Sequence, residues 1–309
     1  MNMKRIRSLL APYRVEEGKG FRLKRHDPGD TGGLDIAKQD AKALLQEGIQ
    51  HLAEMQDKLY AQDRWAVLCI FQAMDAAGKD GAIKHVFSGL NPQGCHVTSF
   101  KAPSTLELDH DFLWRHVTAL PARGMIGIHN RSWYEEVLVA RVHPGVLDRQ
   151  KLPVELRGRK RLFDERLEDI AAFERYLARQ GVLILKFFLH VGKDEQRWRF
   201  LARIEEPEKN WKFNAGDVAE RAHWDEYQDA YDAAIRATAA PHAPWHVVPA
   251  DDKGFARLVV SVALSEALEG LDLHYPRLDE EERAGLKEAR ERLVQEGAGN
   301  GRKDTRNRA

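Results

Sequence analysis

Residues 65–82 read WAVLCIFQAMDAAGKDGA, an apolar run followed by a turn of small residues and a Gly-Lys pair. A strand, a tight turn and a helix in this order can hold phosphates, because the helix N-terminus presents unpaired N–H groups and a positive dipole end. Two positions differ from the usual phosphate-loop pattern G-x-x-x-x-G-K-[ST]: Ala73 replaces its first glycine and Asp80 replaces its hydroxyl residue. The stretch predicts a phosphate loop, and the alternative is an ordinary strand-to-helix turn with a surface lysine.

The predicted loop contains carboxylates as well as a lysine. Lys79 supplies a mobile positive charge, whereas Asp75 and Asp80 would repel a polyanion unless a divalent cation lay between them. Mg²⁺ prefers oxygen ligands and keeps several of its waters. We therefore predict Asp75 as the principal Mg²⁺ ligand and Asp80 as either a second ligand or an acidic residue at the helix N-terminus, with Mn²⁺ as an alternative ion. Three further loop residues are expected to bind phosphate: Ala76, Ala77 and Gly78.

Apolar segments beyond this loop predict the rest of the fold. Strand-like runs lie at residues 65–73, 95–100, 125–130, 182–190 and 245–250, and helical patterns lie near 80–90, 104–117, 155–180, 217–237 and 254–270. Nearly all-apolar strands that alternate with helices indicate a parallel sheet covered on both faces. We predict a three-layer α/β domain whose ligands bind at the carboxyl ends of the strands.

Composition divides the chain into an arm, a domain and a tail. The basic, Gly-rich residues 1–34 are predicted to form an extended arm, and residues 35–272 a domain that opens with a long amphipathic helix capped by Asp35. Residues 193–227 are strongly charged and interrupt the alternation of strands, so we predict a helical insertion over the sheet edge. Residues 273–309 are predicted to form a charged helix and a tail that is disordered from about residue 297.

Charge and cysteine content exclude several classes of protein. The 309 residues include 48 Lys and Arg and 48 Asp and Glu, so the chain lacks the polycationic character that bulk nucleic-acid binding requires. No apolar run approaches the roughly 18 residues of a membrane helix, and the N-terminus lacks the apolar core of a secretory signal. Two cysteines are too few for a disulfide framework. We predict a soluble cytoplasmic protein without nucleic-acid or membrane partners.

A second group of polar residues ends the third predicted strand. Asn130 and Arg131 occupy the place where P-loop proteins keep the aspartate that organises the metal. Asparagine can bind a metal-bound water or a phosphate without charge, and arginine can bind phosphate oxygens in a bidentate way. We predict that both bind phosphate, the alternative being a strand end with a surface arginine. Trp133 and Tyr134 are expected to pack in the core, and residues 135–136 to open the next helix.

Basic side chains elsewhere are candidates for neutralising phosphate charge. Phosphoryl transfer depends mostly on positioning and on neutralising the charge of the transferred group. Six residues near strand ends or in the insertion are predicted to bind phosphate or nucleotide: Lys101, Arg115, Arg197, Arg203, Lys209 and Lys212. Arg199 and Arg221 belong to the same basic group of the insertion. Acidic residues are interleaved there, so a solvated charged face is the alternative, and Arg115 could instead cap a helix C-terminus.

Five blocks of the sequence occur in an order typical of one family: QAMDAAGKDGAIKHVFSGLNPQGCHVTSFKAPS (72–104), HDFLWRH (110–116), IGIHNRSWYEEVLVARVHP (126–144), EEPEKNWKFNAGDVAERAHWDEYQDAY (205–231) and APWHVVPADDK (243–253). Together they resemble the polyphosphate kinase family 2, over about residues 10–272. The resemblance implies a P-loop kinase fold related to thymidylate kinase, with a helical lid over the site. It also implies Mg²⁺-dependent phosphoryl transfer between inorganic polyphosphate and nucleotides.

The resemblance assigns roles to particular residues. The family's Walker A pattern, with an aspartate inside the loop, falls on Asp75, Gly78 and Lys79, and its Walker B region on Asn130 and Arg131. The basic residues of its lid fall on the stretch from position 197 to position 212. We therefore expect Asp75, Lys79 and Arg131 to be the catalytic residues.

The resemblance also implies which acceptors the protein uses. The form NRSWYEEVLV is similar to a subgroup that phosphorylates nucleoside mono- and diphosphates, although His129 stands where the common version has Phe. We expect reversible transfer from polyphosphate to AMP or ADP, giving ADP or ATP, with GMP and GDP as further acceptors, by a homodimer or homotetramer. One rival hypothesis is an ATP-dependent nucleotide kinase, against which Asp80 argues. The other is a non-catalytic polyphosphate- or nucleotide-binding regulator, against which Asp75 and Lys79 argue.

Overall fold

Six strands form one sheet in the computed structural model, which describes Ser8, residues 11–33 and residues 38–299 of the chain. In chain order the strands are β1 (Arg14–Val15), β2 (Ala66–Ala73), β3 (Cys95–Ser99), β4 (Ile126–Asn130), β5 (Val182–His190) and β6 (Trp245–Pro249). Their order across the sheet is β1–β6–β5–β2–β4–β3, with β1 antiparallel to β6 and the other pairs parallel. The predicted parallel sheet is confirmed, and the five predicted strands agree with β2 to β6 to within one residue at either end.

Helices alternate with these strands. The chain forms two compact units, of which the first ends at Leu273 and the second begins at His274. The helices of the first unit are α1 (Lys38–Gln62), α2 (Lys79–Val86), α3 (Thr105–Leu108), α4 (Trp114–Val117), α5 (Val139–Val142), α6 (Pro144–Arg149), α7 (Val154–Arg157), α8 (Leu162–Arg179), α9 (Lys193–Glu205), α10 (Ala215–Ala219), α11 (Trp224–Thr238) and α12 (Lys253–Glu269). Short 3-10 helices lie at Ala11–Tyr13, Leu23–Arg25, Pro92–Gly94, Trp133–Glu136, Pro207–Lys212 and Glu220–His223. None of the helices that the structure describes combines the length and apolar content needed to cross a membrane.

The structure divides three of the predicted helices. The segment 104–117 becomes α3 and α4, the segment 155–180 becomes α7 and α8, and the segment 217–237 becomes α10, a 3-10 helix and α11. Ser104 caps α3 within a capping box, and the side chain of Asp111 accepts a hydrogen bond from the backbone just before α4. α3 therefore starts at its own local cap, which a pattern of apolar residues does not show.

Successive side chains of β2 point to opposite faces of the sheet, and a different set of helices covers each face. Val67, Cys69 and Phe71 belong to an apolar core that includes α1, α2 and α12, whereas Leu68 and Ile70 belong to a second core that includes α8 and α11. All five side chains are fully buried. The sheet is thus covered on both faces, and the predicted three-layer arrangement is confirmed.

Part of the predicted N-terminal arm packs against the sheet. Within residues 11–33, the two-residue strand β1 pairs with β6 and covers part of its edge. Four apolar side chains of this segment are buried: Tyr13, Val15, Phe21 and Leu23. Burial of these side chains favours the packed position over an extended arm. Asp35, predicted as a helix cap, lies outside the described residues.

The described part of the second unit contains α13 (Glu280–Gly299), whose side chains are exposed as far as they are described. Its first turn has three glutamates, which interact favourably with the positive end of the helix dipole. The helix extends to residue 299, slightly beyond the point from which the sequence predicts disorder. Residues 300–309 lie outside the described residues.

Candidate active site

The predicted phosphate loop connects β2 to α2. β2 ends at Ala73 and α2 begins at Lys79, so residues 74–78 form the turn between them. Gly78 precedes the helix with a φ of 101°, a backbone conformation that residues with a Cβ rarely adopt. Because glycine has no side chain that could cap α2, the N–H groups of the first helical turn remain available at the positive end of the helix dipole. This geometry suits an anion.

Lys79 and Asn130 connect the loop to the neighbouring strand. β4 lies beside β2, and Asn130 pairs with Phe71 in the sheet register. Lys79 Nζ donates to Asn130 Oδ1 at 2.5 Å, and Asn130 Nδ2 donates to Asp80 Oδ1 at 2.8 Å. Burial lowers the pKa of Lys79, and the Asp80 carboxylate opposes that shift. Three of the predicted site residues thus form one connected polar group.

Arg131 lies between two carboxylates beside the same loop. Its guanidinium is 3.5 Å from Asp75 Oδ1 and 3.6 Å from Glu135 Oε2. The Glu135 carboxylate is the main cause that raises the pKa of Arg131. The backbone of Arg131 has a φ of 68°, and its N–H donates to Phe71 O at 3.0 Å. Positive φ is uncommon for a residue with a side chain and is often found at functional sites.

The structure therefore brings together five of the residues that the sequence singled out: Asp75, Lys79, Asp80, Asn130 and Arg131. They meet because β2 and β4 are neighbours in a parallel sheet, so their carboxyl ends lie at the same edge. The catalytic and binding roles given to these residues remain predictions.

A cavity of about 380 Å³ opens beside the loop. Its lining includes four carboxylates and two tyrosines: Asp75, Glu135, Asp217, Glu220, Tyr227 and Tyr231. Burial raises the pKa of Glu135 and also that of Asp217. Among the described residues that line the cavity, Arg131 is the only Lys or Arg. The cavity has the size of a small-molecule site but an excess of negative charge.

This excess of negative charge has a consequence for metal binding. A ligand with phosphates would meet four carboxylates and one arginine, and a divalent cation would offset the repulsion. Within the described part of the chain, no group of three or more His, Cys, Asp or Glu could hold a metal by itself. Mg²⁺ needs no such group, because it is usually bound by one or two carboxylates together with substrate phosphates and waters. The side chains of Asp75, 33% exposed, and Asp80, 87% exposed, fit this mode of binding.

Two predicted binding residues lie at a different position. Arg115 is buried, and its Nη1 donates to the backbone oxygen of Lys101 at 2.8 Å. Its guanidinium lines a second cavity of about 280 Å³, together with Glu136 and Arg166, rather than the cavity beside the loop. Lys101 follows the end of β3 and is exposed. Arg115 therefore binds the backbone of the segment that follows β3 and does not line the cavity beside the loop.

The segment after Arg131 also differs from the prediction. Residues 135 and 136 do not open a helix, because Trp133–Glu136 is a 3-10 turn whose first residue is preceded by the capping side chain of Ser132. Glu136 is buried and interacts with Gln150 and Arg166. Trp133 and Tyr134 are fully buried, as expected.

The four basic residues predicted in the insertion pair with their own neighbours. Arg197 lies 3.4 Å from Asp194, and Lys209 lies 2.5 Å from Glu206, both on the exposed surface. Arg203 lies 3.4 Å from Asp217, which lines the cavity. The ammonium of Lys212 lies 5.0 Å from the ring centre of Trp211. For Arg197 and Lys209 the structure matches the solvated-face alternative, whereas Arg203 reaches the edge of the cavity.

Sequence reasoning missed two contacts between the insertion and the phosphate loop. Arg199 was grouped with the basic residues that would bind ligand, and Gln196 was not singled out. Both are buried, and both donate to backbone oxygens of the phosphate loop. Their spacing of three residues, followed by buried Phe200, marks the inward face of α9 and could have indicated this contact.

Comparisons with known proteins agree with this geometry. The family model "Polyphosphate kinase 2 (PPK2)" matches residues 35–275. An ADP-polyphosphate phosphotransferase of Rhodopseudomonas palustris is 49% identical over 282 residues, which are 91% of this chain and 97% of the relative. An AMP/ADP-polyphosphate phosphotransferase of Meiothermus ruber is 45% identical over 87% of this chain and 96% of its own. The crystal structure of polyphosphate kinase 2 from Arthrobacter aurescens superposes with a TM-score of 0.80 at 43% identity, covering 89% of this chain and 95% of that one. The chain therefore belongs to the polyphosphate kinase 2 family.

Proposed function

We propose that the protein transfers a phosphoryl group from inorganic polyphosphate to AMP or ADP, forming ADP or ATP, with GMP and GDP as further acceptors. The family match and the names of the two relatives support this proposal, one relative being named for ADP and the other for AMP and ADP. The observation that carries it is the meeting of Asp75, Lys79, Asn130 and Arg131 at the carboxyl ends of β2 and β4.

The chain's own residues suit such a transfer. Phosphates would bind to the N–H groups at the start of α2, while Lys79 and Arg131 offset the charge of the transferred group. An oxygen of the acceptor phosphate forms the new P–O bond as the P–O bond to the rest of the polyphosphate breaks. The acceptor phosphate is already ionised, so no strong general base is required. One phosphoanhydride replaces another, whether the acceptor is AMP or ADP, so the reaction is reversible.

We propose that Asp75 holds Mg²⁺ and that Asp80 helps to orient the same ion or a second one. The partly exposed carboxylate of Asp75, the exposed carboxylate of Asp80 and the negative charge of the cavity support this assignment. When bound, Mg²⁺ would supply positive charge shared between carboxylate and phosphate oxygens. Mn²⁺ is an alternative ion with the same preference for oxygen ligands.

The acceptor nucleotide is proposed to occupy the cavity beside the loop. Tyr227 lines this cavity one helical turn from the buried Tyr231 on α11, so its ring offers apolar surface to a base or ribose. Arg131 lines the same cavity and is adjacent to the loop, so it would contact the acceptor phosphate and the transferred phosphoryl group. The insertion would contribute Arg203 at the cavity edge.

A donor and acceptor comparison tests the function. Purified protein is incubated with Mg²⁺ and either polyphosphate or ATP as donor, and with AMP, ADP, GMP or GDP as acceptor; the nucleotides are separated by chromatography. The proposal requires product with polyphosphate as sole donor. Product with ATP alone would favour an ordinary nucleotide kinase, and no product with either donor would favour a non-catalytic binder. Cytoplasmic location and a homodimer or homotetramer stay predictions, of which the second can be tested by light scattering.

A further inference from the structure

The start of α9 is bound to the phosphate loop through its buried face. Gln196 and Arg199 are 2% and 8% exposed. Gln196 Nε2 donates to Asp75 O at 2.9 Å, and Arg199 Nη1 donates to the backbone oxygens of Ala76 at 3.1 Å and of Ala77 at 2.7 Å. Three consecutive carbonyl groups of the loop therefore point towards α9.

This arrangement decides where the N–H groups of the loop point. In a trans peptide the C=O and N–H bonds point in opposite directions, and none of the described peptide bonds is cis. Because the carbonyls of Asp75 and Ala77 are held towards α9, the N–H groups of Ala76 and Gly78 turn away from it. The N–H of Ala77 closes a turn to Met74 O. Two loop donors are thus directed to the opposite side, where backbone donors of this kind bind anions.

Arg199 also connects the loop to a third part of the structure. Its Nη2 donates to the backbone oxygens of Ala250 at 2.6 Å and Asp251 at 3.0 Å, in the segment between β6 and α12, and its Nε donates to Glu195 at 2.7 Å. A guanidinium has five N–H donors, and these contacts engage all five. Arg199 therefore has no donor left for a ligand, unlike the exposed basic residues of the insertion.

We propose that Arg199, assisted by Gln196, is a positioning residue that holds the phosphate loop in the conformation that binds the phosphate donor. Ala76 supports this role, because its φ of 61° is uncommon for a residue with a Cβ and must be maintained by surrounding contacts. The inference rests on the proposed function for the identity of the donor. It also means that the first turns of α9, within the segment predicted as a lid, form part of the phosphate-binding structure.

The test replaces Arg199 by lysine, which keeps the charge but cannot reproduce the planar fork that reaches four carbonyls. Calorimetry of the full chain measures the Kd of Mg²⁺-tripolyphosphate, and steady-state assays measure KM for polyphosphate and for ADP. For Arg199→Lys we expect both the Kd of tripolyphosphate and the KM of polyphosphate to rise about tenfold or more, with the KM of ADP within about twofold of wild type. Deuterium exchange of loop peptides should become faster in this variant.

Arg166→Lys is the matched control, because Arg166 is a second buried arginine that donates to a backbone oxygen, that of Glu136, away from the loop. It should lower thermal stability and leave binding of tripolyphosphate unchanged. Should Arg199→Lys fail to fold, Gln196→Met removes the bond to Asp75 O together with the one that Gln196 Oε1 accepts from Arg221, and is expected to raise the same Kd about threefold.

The outcomes separate this inference from the proposed function. Loss of stability in Arg199→Lys with unchanged Kd, KM and loop exchange would overturn the positioning role, while wild-type transfer from polyphosphate would stand. If the wild type used ATP as its only donor, the proposed function would fail, and the same Kd measurement with Mg²⁺-ATP would still test the role of Arg199.

Discussion

Asp75 is the residue on which the proposed chemistry depends most. Its carboxylate is partly exposed, lies 3.5 Å from Arg131 and lines the cavity beside the loop. Its backbone oxygen is held by Gln196, which fixes where the side chain starts. This combination lets the carboxylate contact a cation that accompanies substrate phosphates.

Replacing Asp75 by asparagine keeps the shape of the side chain and removes its charge. We expect kcat to fall by about a hundredfold or more, because the ion that offsets phosphate charge would lose its principal ligand. The melting temperature should change little, since the carboxylate is partly exposed and its pair with Arg131 is long. Wild-type rates in Asp75→Asn would refute the metal assignment.

Lys79→Met tests the loop lysine. Lys79 is largely buried, and burial lowers its pKa, so removing the charge should not destabilise the fold. We expect kcat/KM for polyphosphate to fall about a hundredfold with an unchanged or higher melting temperature. Lys84→Met, on the exposed face of α2, serves as control and should behave as wild type. A variant at position 79 with more than half of the wild-type kcat/KM would contradict the role.

The positions of polar motifs directly after predicted strands identified the residues around the loop. Motifs at the carboxyl ends of neighbouring parallel strands lie at the same edge of the sheet. The sequence pattern did not separate Arg199 from Arg197, although the two lie on the same helix. Arg199 is buried and holds backbone oxygens, while Arg197 is exposed beside Asp194. Which face of α9 meets the loop depends on tertiary packing, which one sequence does not specify.

At the scale of elements, apolar runs predicted the five parallel strands well, because buried parallel strands need apolar side chains on both faces. Three predicted helices proved to be divided into shorter elements, one of which, α3, begins at a capping box. β1 was missed because two residues are too few to show a period. The arm was predicted from its basic, Gly-rich composition, which gives no sign that four of its apolar side chains are buried.

The pairing of β1 with β6 predicts a difference between two adjacent residues. Val15 is buried and Arg14 is exposed, so the same new side chain should have unequal effects at the two positions. Val15→Gln is expected to lower the free energy of unfolding by about 2 kcal/mol, because it loses apolar burial and buries an amide. Arg14→Gln should change it by less than about 0.5 kcal/mol. Equal effects in chemical denaturation would show that β1 does not pack on the sheet in solution.

At the scale of the whole molecule, buried histidines link stability to pH. Burial lowers the pKa of His116 to about 2, that of His246 to about 3, and those of His129 and His190 to about 4. In the unfolded chain these groups have pKa values of about 6.5. Between about pH 6.5 and 4 the unfolded state therefore binds more protons than the folded state. The free energy of unfolding should fall as the pH is lowered through this range.

His129→Phe removes one of these histidines and introduces the residue that the common version of the NRS motif has at this position. His129 packs beside Phe100 and Trp133, so another aromatic ring fits the environment. The slope of unfolding free energy against pH between about 4.5 and 6 should decrease by up to about 1.4 kcal/mol per pH unit. Urea denaturation at several pH values measures the slope. An unchanged slope would mean that His129 is protonated in the folded protein.

The most direct test of the central claim follows a labelled phosphoryl group from donor to acceptor. Wild-type protein and Asp75→Asn are each given ³²P-labelled polyphosphate, Mg²⁺ and ADP, with no ATP added. The wild type should form labelled ATP in an amount equal to the terminal phosphates lost by polyphosphate, and the variant should form almost none. Absence of labelled ATP from the wild type, with ATP supporting phosphorylation of AMP in a parallel assay under the same conditions, would contradict the account.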